Sequence, residues 1–365
     1  MKKIILFIFL VFLFPSITLS EDFRFKKISS LSKPWGSSFI NDNELIITEK
    51  TGKIKVVNIN NGKVIEVKHN LKFKNIGQGG LLDIIYKNNY VWVSYTELIK
   101  PYNYSTSIAR GQFNRQKIRF ENIFQQNSAS GSTQHFGSRL EIQGNYLFAS
   151  IGERGGGMIA QNSKLHAGSI IRIHLDGSMP KDNPKFVDKP YWLKEIFQIG
   201  LRNPQGLTLS PFDKKIYISN HGARGGDWFG QLKKSGNYGW KSLGWGGTNY
   251  NGTKIGPKWK IGFTKPIHYW VPSIGISAIT IYKGKEFSKW NGEALITSLR
   301  DESLRKINFQ NLSRVKEEII FKNKINRIRD INIHPKTGKI FFLTEKKYSE
   351  DGPKEDSLWL MENNN

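Results

Sequence analysis

A few short strings hold most of the residues with which this chain could do chemistry. HFGSRL (135–140) carries an imidazole, His135, followed by small residues that let a ligand come close. Imidazole suits proton abstraction near neutral pH. GLRNPQGL (200–207) sets Arg202 and Asn203 before Pro204, where the guanidinium either pairs with an acid or stabilises a charge that develops on a ligand. NRIRD (326–330) alternates, so Arg327 and Arg329 point the same way from an extended segment, and SLR (298–300) adds Arg300. Cations facing one direction suit a ligand rich in carboxylates, which arginine binds bidentately. In HGARGGD (221–227) a glycine-rich loop can turn the carbonyls of Gly222 and Ala223 toward Ca2+, a cation that prefers oxygen ligands. Glu153, in GERGGG (152–157), is read as binding substrate hydroxyls or pairing with Arg154, and Gln78, in GQGGLLD (77–83), as a turn residue.

Such residues need a scaffold that gathers them. A polar turn followed by a short apolar strand and a small or acidic group recurs six times, with strands starting at Leu45, Val91, Leu147, Ile216, Leu295 and Phe341. The shorter spacings match the roughly 40–50 residues of a four-stranded propeller blade, and the longer ones imply insertions in the third and fourth units. Helical periodicity is almost absent, and 35 Gly and 13 Pro interrupt the chain every few residues. The expectation is an all-β, six-bladed β-propeller with four-stranded antiparallel blades, occupying residues 21–365 as one domain. The repeated strand is expected to line the axis. The positions that follow it, Glu49, Glu97, Glu153, His221, Arg300 and Glu345, are then expected to ring one cavity. SLWLM near the C-terminus reads as a closing strand.

Composition narrows the function. The chain has 365 residues, 38% hydrophobic and 13% aromatic, which excludes a disordered chain. No cysteine is present, so disulfides, thiolate metal sites and cysteine nucleophiles are excluded. P-loop, dinucleotide-binding, HExxH, EF-hand and GxSxG strings are all missing. The formal charge is +25, yet the lysines are scattered without a basic block, so nucleic acid is not an expected partner. Lys2 and Lys3, the apolar run Ile4–Phe14, and small residues at Thr18 and Ser20 form the three-part layout of a secretory signal peptide over residues 1–20. The mature chain is expected in a periplasm or outside the cell, without stable membrane insertion.

Taken in order, H-x-G-S-R-L, G-x-R-N-P-Q-G-L, H-G-x-x-G-G-D and N-R-x-R-D resemble the soluble quinoprotein sugar dehydrogenases of the aldose and glucose/sorbosone type, over residues 25–362. The resemblance implies a six-bladed propeller that oxidises an aldose at C1 to a lactone, using pyrroloquinoline quinone (PQQ) and Ca2+. It implies that His135 is the general base, with Arg202 catalytic against a quinone oxygen. Arg202, Asn203, Arg300, Arg327 and Arg329 would hold the cofactor. Gln78 and Glu153 would meet the sugar, and the carbonyls of Gly222 and Ala223 would hold calcium. Tyr269 and Trp270 would stack on the quinone or pack in the core. Three positions depart from the family pattern: Ala223 stands for Pro, Trp228 for an acid, and Gly275-Ile276-Ser277 for a Pro-Ser-containing strand start. Trp228 puts a second, structural calcium in doubt. A calcium-dependent lactonase-type hydrolase and a non-catalytic binding propeller are the alternatives. The electron acceptor is not specified by any of these strings.

Overall fold

The six repeats become six sheets because each pairs one strand that is apolar on both faces with neighbours that alternate. Tyr146–Ile151, Ile216–His221 and Ala294–Ser298 are buried along almost their whole length, as central strands must be. The computed structural model describes residues 23–185, 191–346 and 355–364; the expected signal segment lies outside them. Five sheets have four strands, and the first has a fifth, two-residue strand added in parallel. The innermost strands are Pro34–Asn41, Leu81–Lys87, Gly137–Gln143, Asn203–Leu209, Ile276–Ile281 and Arg327–Ile333, belonging to the first to sixth blades. Each touches the next around the axis, and the sixth touches the first, which closes the ring. This is the six-bladed propeller that the repeats predict.

One expectation about it is corrected. The repeated strand is the second of each blade, not the innermost. Glu44–Glu49, for example, lies between Pro34–Asn41 and Lys53–Asn58. Nor does SLWLM alone close the ring. Asp356–Asn363 is the third strand of the sixth blade, and Phe23–Leu31 from the N-terminal side pairs along it as the fourth, Phe23 opposite Asn363 and Leu31 opposite Asp356. That pairing ties the two ends of the described chain and protects an otherwise open sheet edge.

The core lies between blades. Trp92 and Ile108 of the second blade pack with Leu147, Ile151 and Ile171 of the third, and Leu295 and Leu304 of the fifth with Ile328 and Phe342 of the sixth. Each fully buried side chain of this size contributes about 1.5–3 kcal/mol of burial. All six innermost strands share a bulge against the second strand: between Pro34 and Ser37, Leu81 and Ile84, Gly137 and Leu140, Pro204 and Gly206, Ile276 and Ile279, and Ile328 and Asp330. A bulge bends its strand and re-aims the residues beside it. Repeated six times at the same end, it turns the starts of these strands toward a common mouth.

Candidate active site

The starts of the inner strands and the ends of the second strands enclose a cavity of about 640 Å³. Its wall includes Gln78, His135, Arg202, Asn203, Ala223, Arg300, Arg327 and Arg329, so the strings spread over 250 residues of sequence do converge. His221 and Glu345 from the expected ring also line it.

His135 is held in the left-handed region, at φ 51°, where a non-glycine residue is strained by about 1–2 kcal/mol. Three contacts hold it there. Its backbone N–H donates to Gln78 Oε1 at 2.8 Å, its carbonyl accepts from Arg154 N at 3.3 Å, and its Nδ1 lies 2.6 Å from Glu153 Oε1. Glycine at 152 is required, since a Cβ there would sit 1.9 Å from the His135 carbonyl oxygen. Burial pushes the His135 pKa below its ordinary value; Glu153 opposes this and Arg202 adds to it. The shift favours the neutral ring at pH 7. Donating Nδ1–H to Glu153 leaves its lone pair on Nε2.

Glu153 is not at the wall. It is 2% exposed and lies behind His135, with Oε2 accepting from Gly157 N at 2.5 Å and its own N–H donating to the Arg202 carbonyl at 2.8 Å. Its expected substrate contact is corrected: both carboxylate oxygens are engaged in the protein, and one fixes the imidazole. Nor does it pair with Arg154, whose guanidinium lies over Phe136 and donates to the Ser132 carbonyl. Two other ring positions also turn away. Glu49 is buried against Lys55 (2.5 Å) and the Ser32 N–H, and Glu97 accepts from Ser107 and Gln125.

The opposite wall is cationic. Arg329 Nε donates to Glu345 Oε1 at 2.7 Å, and Arg329 Nη1 to Gln205 Oε1 at 3.0 Å. Arg327 Nε is 3.7 Å from the other Glu345 oxygen and makes no hydrogen bond among the described residues. Burial alone would raise the Glu345 pKa, but Arg329 and Arg327 hold it below the usual carboxylate range. Arg202, packed beside the Trp240 ring, and Arg300, which donates only to the Ser273 carbonyl, have no carboxylate partner among the described residues. Asn203 Oδ1 accepts from Gly137 N at 3.0 Å, which leaves its amide N–H groups for a ligand. Half-buried His221 has its pKa pushed down to about 4 by desolvation first, and its Nε2 has no hydrogen-bond partner among the described residues.

Sequence reasoning missed Trp35, Lys50, Gln205, Arg224 and Tyr250, all of which line the cavity. Arg224 and Gln205 stand inside the strings already singled out, next to residues that drew more attention. Trp35 is the second residue of the first inner strand, which carries no repeat signal. Tyr250 is 72% exposed at the tip of the long loop between Asp227–Gln231 and His268–Trp270. Of the two readings of the aromatic pair, core packing is the one found, and neither ring lines the cavity: Trp270 is buried with Nε1 on Glu317 at 2.9 Å, and Tyr269 packs against the fourth-blade core. Trp228 stacks on Tyr238 at 4.1 Å and supplies no ligand atom.

Two groups implied by the resemblance can be tested for fit. A planar polycarboxylate suits this wall, because Arg202, Arg224 and Arg300 carry charge that no carboxylate among the described residues neutralises, and Arg327 Nε makes no hydrogen bond among them. For a cation, Asp227 is already engaged, accepting from Gly222 N at 2.7 Å and Ile276 N at 2.9 Å. The carbonyl oxygens of Gly222 and Ala223 accept no hydrogen bond among the described residues. They remain free for a hard cation.

The family model for glucose/sorbosone dehydrogenases matches residues 31–352. The chain belongs to that family. A curated relative, the aldose sugar dehydrogenase YliI of Escherichia coli K12, is 29% identical over 334 residues, covering 88% of this chain and 89% of the relative. The quinoprotein glucose dehydrogenase B of Acinetobacter calcoaceticus is 32% identical over 259 residues, 61% of this chain and 53% of its own length. The crystal structure of the soluble E. coli aldose sugar dehydrogenase in its apo-form superposes with a TM-score of 0.86 at 27% identity, covering 93% of this chain and 99% of that one. A PQQ-bound aldose sugar dehydrogenase from Streptomyces coelicolor shares the fold, with a TM-score of 0.76 at 20% identity over 94% of this chain.

Proposed function

We propose that the protein is an exported quinoprotein that oxidises aldoses at C1 to lactones, with PQQ and Ca2+ as cofactors. The carrying observation is the pairing of two walls in one cavity: a histidine oriented by a buried carboxylate, and Arg202, Arg224 and Arg300 without acidic partners among the described residues. Arg202, Arg300, Arg327 and Arg329, with the Asn203 amide, would bind the cofactor's carboxylates and oxygens. The carbonyls of Gly222 and Ala223 would hold calcium. When bound, the quinone supplies the acceptor for the two electrons and hydrogen that leave C1 as hydride.

The remaining chemistry belongs to the chain itself. His135 Nε2 takes the C1 hydroxyl proton, so hydride and proton leave the same carbinol and the lactone carbonyl forms. Glu153 stabilises the imidazolium produced and keeps the ring in the tautomer that presents Nε2. Gln78 holds the His135 backbone and lies at the wall, within reach of a sugar. With the quinone bound, Arg202 would place a positive charge beside its oxygens. Export rests on the layout of residues 1–20, and N-terminal sequencing of protein from its native host should begin near Glu21; retention of Met1 would contradict it. Apoprotein supplied with PQQ and Ca2+ should reduce a dye when given aldoses. Absence of turnover across an aldose panel, despite bound quinone, would contradict the reading.

A further inference from the structure

Below the cavity, Arg139 lies on the axis and is 4% exposed. It does not line the cavity but borders a second, smaller one of about 260 Å³ on its far side, as do Asp83 and Asp330. Nη1 lies 3.1 Å from Asp83 Oδ1 and 2.8 Å from Asp330 Oδ1. Nε donates to the Gln205 carbonyl at 2.8 Å, and Nη2 to the Arg329 carbonyl at 2.8 Å. The guanidinium carbon is 4.4 Å from the centre of the Trp35 ring. One side chain of the third blade thus grips the first, second, fourth and sixth.

Three of those partners face the cavity from the other side: Trp35, Gln205 and Arg329. They also touch one another, since Gln205 accepts from Arg329 and the Arg329 guanidinium sits 5.8 Å from the Trp35 ring. We propose that Arg139 is a positioning residue for the anion-binding wall, fixing Arg329, Gln205 and Trp35 from behind without touching the ligand. The proposal rests on the reading of the cavity as a polycarboxylate site. The fork geometry is what matters: five donors in one plane reach two carboxylates and two carbonyls at once, whereas an ammonium offers a single point.

The test compares Arg139→Lys with wild type and with Phe342→Leu, a core change away from the axis that lowers the melting temperature without touching the wall. Apoproteins are titrated calorimetrically with PQQ and, separately, with benzene-1,3,5-tricarboxylate, well below every melting temperature. Arg139→Lys should lose at least tenfold in affinity for the ligand that wild type binds, while Phe342→Leu stays within about twofold. A purely electrostatic role would be rescued by Lys, so wild-type affinity in Arg139→Lys overturns the proposal. So does an equal loss in Phe342→Leu. Removing the guanidinium strands two buried carboxylates, and the single variant could fail to fold. The double variant Arg139→Gln with Asp83→Asn removes one of those charges and should show the same loss; folded protein with wild-type affinity overturns the proposal. If wild type binds the tricarboxylate but not PQQ, and Arg139→Lys loses that binding, the clamp stands and the PQQ reading falls. Wild type binding neither overturns both.

Discussion

At the mouth of the propeller, Arg202, Arg224 and Arg300 make no ion pair among the described residues, whereas a layer below, Arg139 holds two aspartates and two carbonyls. The residue type is the same and the surroundings are opposite. A buried guanidinium that is fully paired is part of the framework, and removing it strands its partners. A guanidinium at a cavity wall without an acid is electrostatically incomplete, and an anion completes it. Arg327 and Arg329 stand between these cases, sharing Glu345. The difference separates residues that would meet a ligand directly from residues that hold the wall in place from behind.

The largest effect should come from His135→Ala. Turnover should fall by roughly 10²–10⁴-fold, the usual share of a positioned base, with quinone affinity and melting temperature nearly unchanged. A lowered melting temperature with unchanged single-turnover quinone reduction would move His135 from the functional group to the framework. Next, Arg202→Ala should weaken quinone binding by about 10–100-fold, the scale of a charge-assisted hydrogen bond removed from a site, and should also slow reduction. Unaltered affinity would mean that its unpaired charge is incidental.

Glu153→Gln should act through pH. In wild type the His135 pKa lies below its ordinary value of 6.5, so the rise of kcat/KM with pH should be centred below 6.5 and level off above it. Glu153 is the group that raises this pKa, so its neutralisation should move the acid limb to still lower pH while lowering the plateau, because the tautomer is no longer enforced. An unshifted acid limb would contradict the dyad.

The smallest effect concerns His221. Its folded pKa, about 4, lies below the 6.5 of an unperturbed imidazole, so the unfolded chain binds more protons between those values. Stability should therefore be undiminished by this group above pH 6.5 and decline as pH falls toward 4. His221→Asn should flatten that part of the melting-temperature profile by a few degrees. Identical profiles would show that the orphaned Nε2 is hydrated rather than desolvated.

The repeat count and blade architecture were legible because the second strand of every blade is apolar on both faces. The same signal misdirected the choice of innermost strand. True inner strands such as GSRLEIQ and RIRDINI carry polar residues toward the axis and look like poor sheet formers. Glu153 was legible as a functional acid but not as one facing away from the ligand, because that depends on the left-handed turn at His135. The Arg139 cluster was illegible for a different reason. Asp83, Arg139 and Asp330 sit on three blades, and only closure of the ring brings 83 and 330 together. Trp35 and Tyr250 had no repeat partner to be compared with.

The most direct measurement is a calorimetric titration of apoprotein with PQQ, with and without Ca2+, at two salt concentrations. Saturable binding that strengthens with Ca2+ and weakens at high salt is the expected result, since unpaired arginines are to be matched by carboxylates across a partly hydrated mouth. Background heats under all four conditions would contradict the assignment of this cavity as a quinone site.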